Sequence, residues 1–536
     1  MNWKKTLIAV PLSVSLVVPA MAGSLATEAH AAEKPSVETP AVDLRAQLGT
    51  LLSEHAYLAV ETMRKGAEGA PDFQASAEAL NENTEALSKA ITSVYGKEAG
   101  EQFKDIWSEH IGFFVDYVKA TGNNNEAGKE EALDNLDGYK ADFSAFLEKA
   151  TNKRLEADML AKGLQAHIDQ LIGSFDSYVA GNYEEAYMQE RKAIAHMHMV
   201  AKGFSAAIAD QFPAQFNHTK AVTPAGDLRA DLNYLLSEHA GLAMMAMQNG
   251  VDGSDDFQAS AAALNANTED LAAAIASIYG EKAGMQFKEL WASHIGFFVD
   301  YVKGTAANDE AMQQEALNNL DQYRQDFSKF LETATEGGLE SDAVAMGLQT
   351  HVNQLVGTFD SYTEKDYNEA YDTLRDAYAH MANPAKGISG AVVAQFPDKF
   401  AQADKQDEQM NMLVTKLQIG HKKLWLNDKS QALDVAPFLW NNHTFISLRA
   451  LSEAVGAEVT WNADDRSVKV TTNGNTAMFW IGKDYMTFNG ERKDVGAELM
   501  IRNSRTQVPL RFIAELLGWN VNWDGSNEMV TLTKEQ

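Results

Sequence analysis

The chain contains itself twice. The stretch from Asp43 to Pro213 recurs from Asp227 to Pro397 at a constant offset of 184 residues. HIGFFVDYVK begins at His110 and again, unchanged, at His294; DFQAS begins at Asp72 and Asp256; QFP closes both copies at Pro213 and Pro397. A period this long is duplication of a whole domain, not a short solenoid repeat, so one architecture must serve both copies. The linker from Phe216 to Gly226 carries Thr223 and Pro224 and reads as a loop, and a polar stretch from Ala401 to Gln409 leads into a different C-terminal part. The expected layout is a leader over 1–31, helical copies over 41–215 and 225–400, and a separate module over 410–536.

Within one copy the apolar residues recur at three- and four-residue steps, the signature of amphipathic helices. The first stripe is Leu44, Leu48, Leu51 and Leu58; another is Phe103, Trp107, Phe114 and Tyr117; a third is Leu160, Leu164 and Leu171. Six helices are predicted, at 42–66, 72–96, 98–121, 125–150, 156–178 and 182–211, with Pro71, Gly96 and Gly122 at the joins. Short joins favour antiparallel neighbours. The predicted fold is mainly α: two tandem up-and-down bundles of about six helices each, plus a small C-terminal α+β module built from two repeats of 62 residues. Each copy has its own stripes and is long enough to fold as a unit.

Four histidines recur with the copies. His55 pairs with His239, His110 with His294, His167 with His351, and His196 with His380. Each lies on a different predicted helix near its middle. His55, His110 and His167 continue clear apolar stripes, while His196 sits beside Met197 on a long helix. In antiparallel packing mid-helix positions meet at one level, where bundles build metal and cofactor sites. The expectation is one four-His layer per copy, with Glu54, Glu238, Gln170, Gln354, Met197 and Met381 as surrounding or additional groups. The alternative is a polar structural network, since a core histidine is often simply hydrogen-bonded and a duplication retains residues by descent.

The chain has no cysteine, so a metal must be held by His, carboxylate or Met. Imidazole suits copper, zinc and iron alike; Met63, Met197 and Met381 tilt the choice toward copper. Non-covalent haem, flanked by Trp107, Phe113 and Phe114, is the rival occupant. Pro384 lies four residues after His380, where copy one has Val200, so the last helix of copy two should kink and the two sites need not be equal.

The N-terminus reads as a secretion signal. Lys4 and Lys5 precede an apolar run from Leu7 to Val18, with small-residue patterns at Ala20-Met21-Ala22 and Ala29-His30-Ala31. That run is short for a spanning helix, and no later segment approaches one. The formal charge of -30 argues against nucleic acid and anionic membranes as partners. The expected setting is extracellular, with cell-wall or surface components as further partners.

The C-terminal part duplicates too. ISLRALSEAVGAEVTW begins at Ile446 and VPLRFIAELLGWNVNWD at Val508, an offset of 62 that also relates Ile419-Gly420 to Ile481-Gly482 and Asn427-Asp428 to Asn489-Gly490. Each unit reads as a hairpin, a short helix such as Leu448 to Val455 or Leu510 to Leu517, and a strand pair ending near Val470 or Leu532. This pattern resembles the copper amine oxidase N-terminal domain-like family of bacterial secreted proteins, over about a quarter of the chain. The resemblance implies a non-catalytic stalk or surface module, with Arg449 and Arg511 of the motif in structural ion pairs. Fragments of an amine oxidase signature occur at Asn182-Tyr183-Glu184 and His196-Met197-His198, but in predicted helix, whereas that catalytic domain is a β-sandwich. With no nucleophile triad or phosphate loop, the reading is a non-enzyme with no catalytic residues.

Overall fold

A computed structural model describes residues 34–401 and most of 412–535, apart from short segments at 427–428, 441–442, 449–457, 463–464, 473–474, 496–498, 503–504, 511–519 and 525–528. The leader, Arg449, Arg511 and most of both predicted C-terminal helices lie outside the described residues.

The first copy folds as α1 (Pro40–Glu68), α2 (Phe73–Tyr95), α3 (Lys97–Gly122), α4 (Glu126–Ala150), α5 (Ala157–Val179) and α6 (Tyr183–Gln211). The second gives α7 (Pro224–Asp252), α8 (Phe257–Tyr279), α9 (Glu281–Ala307), α10 (Glu310–Ala334), α11 (Ser341–Thr363), α12 (Tyr367–His380), α13 (Ala382–Gln395) and a single turn, α14 (Pro397–Phe400). The start signals are the same in both. Thr39 caps α1 by accepting from the Val42 amide, and Thr223 caps α7 through the Gly226 amide, each followed by proline at the first helical position. Gly69 and Gly253 end those helices at φ 63 and 65, the left-handed conformation that glycine adopts without strain. Consecutive helices pack on one another, and α6 returns against α1 to close the bundle.

The predicted kink is a break. Where α6 runs unbroken, the second copy divides into α12 and α13 at Met381. Pro384 has no amide to donate to the His380 carbonyl, and its ring crowds that carbonyl.

The sequence stripes do not reveal how the copies sit together. α1 packs along α7, α6 crosses onto α8, and α12 onto α2, so a pseudo-twofold axis relates the bundles. Buried residues of both copies, among them Leu58, Met63, Met244, Met245 and Phe359, form one continuous apolar cluster. Ion pairs cross the same boundary: Arg45 with Asp227 and, symmetrically, Arg229 with Asp43.

The C-terminal part has fourteen described strands, seven per repeat. β1 (Met412–Gln418), β2 (Lys423–Leu426), β3 (Lys429–Ala432), β4 (Phe438–Trp440), β5 (His443–Ser447), β6 (Glu458–Asn462) and β7 (Ser467–Thr472) form the first set. β8 (Asn475–Trp480), β9 (Tyr485–Phe488), β10 (Glu491–Asp494), β11 (Met500–Arg502), β12 (Arg505–Pro509), β13 (Asn520–Asp524) and β14 (Met529–Glu535) form the second. Each unit lends its last two strands to the other's sheet: the orders are β13-β14-β1-β2-β3, β10-β9-β8-β7-β6 and β11-β12-β5-β4. Matched Gly420 and Gly482 turn at φ 77 and 75, which confirms the repeat register. Leu417, Ile446, Val470, Phe479, Val508 and Leu532 share one core across both units.

Candidate metal centre

Antiparallel packing brings three of the four histidines of each copy together. His55 of α1, His110 of α3 and His167 of α5 place ring nitrogens within 4.8 Å of one another; His239, His294 and His351 do the same in copy two. The facing Nε2 atoms of His55 and His110 are 3.4 Å apart, and those of His239 and His294 are 3.2 Å apart. Two nitrogens bound at about 2.0–2.1 Å to a tetrahedral ion lie about 3.4 Å apart, so this spacing is that of co-ligands as well as of a long imidazole–imidazole hydrogen bond.

His196 and His380 are set apart from these clusters. The His196 ring lies 6.5 Å from that of His167, centre to centre. His380 Nε2 donates to the Gly347 carbonyl at 3.1 Å, and His196 faces the matching Gly163 carbonyl. Each is directed at the backbone of the neighbouring helix, α5 or α11, so the four-His layer resolves into three clustered rings and one outlier. The three that converge are those on clear apolar stripes.

All six clustered imidazoles are buried. Burial removes the water that solvates a charged ring, which lowers their basicity well below the usual range; His110, His294 and His351 fall to about 3. His55, His167 and His239 move the same way, with neighbouring histidines adding to the effect of burial. Neutral rings keep a nitrogen lone pair for a ligand. Much of that capacity is unspent. Among the described residues, both ring nitrogens of His167 and of His351 and the Nδ1 of His55 lack hydrogen-bond partners, whereas His110 and His294 lie against the Trp107 and Trp291 backbone one turn back and His239 against Asn267. Beside them, the Trp107 and Trp291 indole nitrogens and the Tyr139 and Tyr323 hydroxyls are likewise unpartnered. Tyr139 stacks on His110 at 4.7 Å, and Tyr323 on His294 at 4.8 Å. Buried polar groups ordinarily find partners, so two matched sets without them call for a water or an ion to satisfy them.

The surrounding groups named from sequence divide. Met197 and Met381 line cavities beside the clusters. Gln170 and Gln354, one turn beyond His167 and His351, each keep a buried, unpartnered Oε1. Glu54 and Glu238 are spent at the interface instead. Glu54 accepts from Asn83 at 2.6 Å and from Arg375 of the other copy at 3.1 Å. Glu238 accepts from Asn267 at 2.7 Å and from Arg191 of the other copy at 3.1 and 3.0 Å. Asn267 in turn interacts with His239, so this carboxylate is joined to the cluster only at second hand. Sequence reasoning missed these arginines, and also His198, whose Nε2 lies 3.0 Å from Asp231 of the other copy.

Comparison with known proteins bears on the C-terminal part. The C-terminal module matches the copper amine oxidase N-terminal domain, over residues 425–532. The helical copies fall outside that match, and the catalytic domain of such oxidases is not part of it. A relative described as "Protease inhibitor" from Brevibacillus choshinensis is 28% identical over 117 residues, covering 22% of this chain and 35% of that protein. The chain thus spans about a third of that relative's length. No solved structure matches the chain. Among the described residues no helix is long and apolar enough to cross a membrane.

Proposed function

We propose that this is a secreted, non-catalytic surface protein whose two helical bundles each hold one metal ion on three histidines, carried by a C-terminal stalk. The observation that carries the reading is the pair of matched clusters, His55–His110–His167 and His239–His294–His351, with ring nitrogens within 4.8 Å and spare lone pairs. Copper in its singly charged state suits them best. The clusters are neutral, and the nearest carboxylates are paired with arginine, so a single positive charge costs less to bury than a double one. Thioethers at Met197, Met381 and Met247 flank the cavities beside them, and soft sulfur favours copper(I) over zinc or iron. The domain match at 425–532 supports a display role for the module, with cell-wall or surface components as its partners.

Haem is the less favoured occupant. The parallel His167 and His196 rings have the spacing of paired axial ligands, but His196 and His380 are directed at backbone carbonyls. The test is metal analysis and an absorption spectrum of full-length protein purified without chelators and loaded with copper under reducing conditions. About two copper ions per chain are expected; an intense haem band in place of copper would select haem. Protein that takes up neither leaves the histidines as a structural network and the bundles as spacers. Deleting 410–536 should leave metal content unchanged and reduce surface retention.

A further inference from the structure

Each cluster is flanked by a cavity at an equivalent place. In the first bundle it measures about 330 Å³ and is lined from all six helices; in the second it measures about 250 Å³. The first lies at the lower end of the roughly 300–1,000 Å³ usual for small-molecule sites, and the second falls just short of it. Their walls are almost wholly apolar. Phe143, Leu164 and Phe204 line the first, and the matched Phe327, Leu348 and Ile388 line the second.

Two further features point to an occupant. The first is glycine where a helix has no need of it. Gly163 on α5 and Gly203 on α6 line the first cavity, and Gly347 and Gly387 the second. A glycine inside a helix costs about 1 kcal/mol relative to alanine. Gly347 is half-buried and an added side-chain carbon there would meet nothing within 4 Å, while Gly203 is exposed at the mouth of the first cavity. These wall positions carry no side chain in either copy, at a cost to the helices, although neighbouring wall positions have diverged, Met199 to Asn383 and Val200 to Pro384. The second is unspent polarity at the closed end. His167 and His351 line the cavities at 4% and 5% exposure with both ring nitrogens unpartnered. Trp107 and Trp291, also lining them, hold unpartnered N–H donors.

We propose that each cavity binds a small lipophilic molecule bearing one oxygen acceptor, its body among the apolar walls and its head against His167 and Trp107, or His351 and Trp291. Donors at one end of an apolar chamber select an acceptor head on an apolar body. The inference touches the metal reading in one respect: His167 or His351 donates to the head from the ring nitrogen that does not hold the ion. The body and the indole contact do not depend on the ion.

The test is calorimetric titration of full-length protein with sodium decanoate, before and after metal removal, with decyltrimethylammonium as a tail of the same length lacking an acceptor. Decanoate should bind at two per chain and decyltrimethylammonium at least tenfold more weakly. The double variant Gly203→Phe/Gly387→Phe, which fills both chambers, should lose decanoate binding at least tenfold while keeping its metal content. If that variant does not fold, Gly163→Leu/Gly347→Leu fills the same space from the opposite helices. Trp107→Phe/Trp291→Phe keeps the shape and removes the donors, and should weaken decanoate several-fold without affecting the cation. Decanoate that fails to bind either form of the wild type, or binds filled and unfilled protein alike, overturns the proposal. Decanoate bound by a wild type that takes up no metal would leave this site standing and remove the metal reading.

Discussion

The two bundles have kept one feature in common and let another diverge. At the histidine clusters all three rings, the flanking Trp and Tyr, and the unpartnered nitrogens of His167 and His351 recur position by position. At the interface between the bundles the outer ion pairs recur as well, Arg45–Asp227 with Arg229–Asp43 and Arg191–Glu238 with Arg375–Glu54, but its centre has diverged. Copy one places Glu61, Arg64 and Lys65 there; copy two places Met245, Gln248 and Asn249 at the matched positions. The charges of copy one are answered partly across the boundary and partly within the copy. Arg64 donates to Glu61 at 2.8 Å and to Asp256 and Asn249 of copy two at 3.0 and 2.8 Å, while Lys65 lies 2.9 Å from Asp72. Burial alone would raise Glu61, but Arg64 and Lys65 overcome it and hold its carboxyl below the usual range. Symmetric clusters and symmetric outer ion pairs around a diverged centre are the pattern of a dimer fused into one chain: each cluster lies within its own bundle, while the middle of the shared surface has specialised.

Acid should act on what the copies share, and it gives the largest expected effect. The clustered imidazoles take up protons readily only once unfolded, so their folded pKa lies below the unfolded value of 6.5. Their contribution to stability is therefore complete above about pH 6.5 and lost as pH falls toward about 3. In that window each ring should weaken the fold by about 1 kcal/mol per pH unit. Helical circular dichroism against urea at stepped pH should show both bundles destabilised together; equal stability at pH 7 and pH 4 would contradict the burial of neutral rings.

Substitution at the interface should separate the copies. Arg64→Met leaves Asp256 without its cation and Glu61 with Lys65 alone, and should cost about 3–5 kcal/mol. Gln248→Met at the matched position should cost less than about 1 kcal/mol. Similar urea midpoint shifts for the two would mean that the interface is as symmetric as the clusters.

Next in size is the helix break. Val200→Pro in α6 recreates the situation of Pro384 in a helix that has not adapted to it, and should cost up to about 3 kcal/mol. Pro384→Val should restore one helix from 367 to 395 and stabilise copy two. Hydrogen exchange across 378–386 would check this, with slower exchange expected in the valine variant.

The helices were legible because their periodicity and caps agree: six predicted spans match six observed ones to within two residues in copy one. The clusters were legible to the same depth. His55, His110 and His167 stood on apolar stripes and met; His196 did not, and turned to a backbone carbonyl. The interface was not read, although a signal existed. In α7 the run from Ala240 to Met247 carries no charge, and α1 is buried on almost every side. A helix apolar all round needs neighbours on all sides, more than one six-helix bundle supplies. Glu54 and Glu238 were assigned to the histidines because they adjoin them in sequence, yet adjacent helical residues point about 100° apart, here toward the other copy's arginines.

The central claim is that each bundle binds one metal ion on three histidines, and metal stoichiometry tests it most directly. His110→Ala and His294→Ala, each purified in full-length form and loaded with copper(I) under reducing conditions, should each retain about one ion per chain where the wild type holds about two, and the double variant should retain none. His196→Ala, which removes the outlying ring, should keep about two. Unchanged stoichiometry in the double variant, with the helices still folded, would contradict the account.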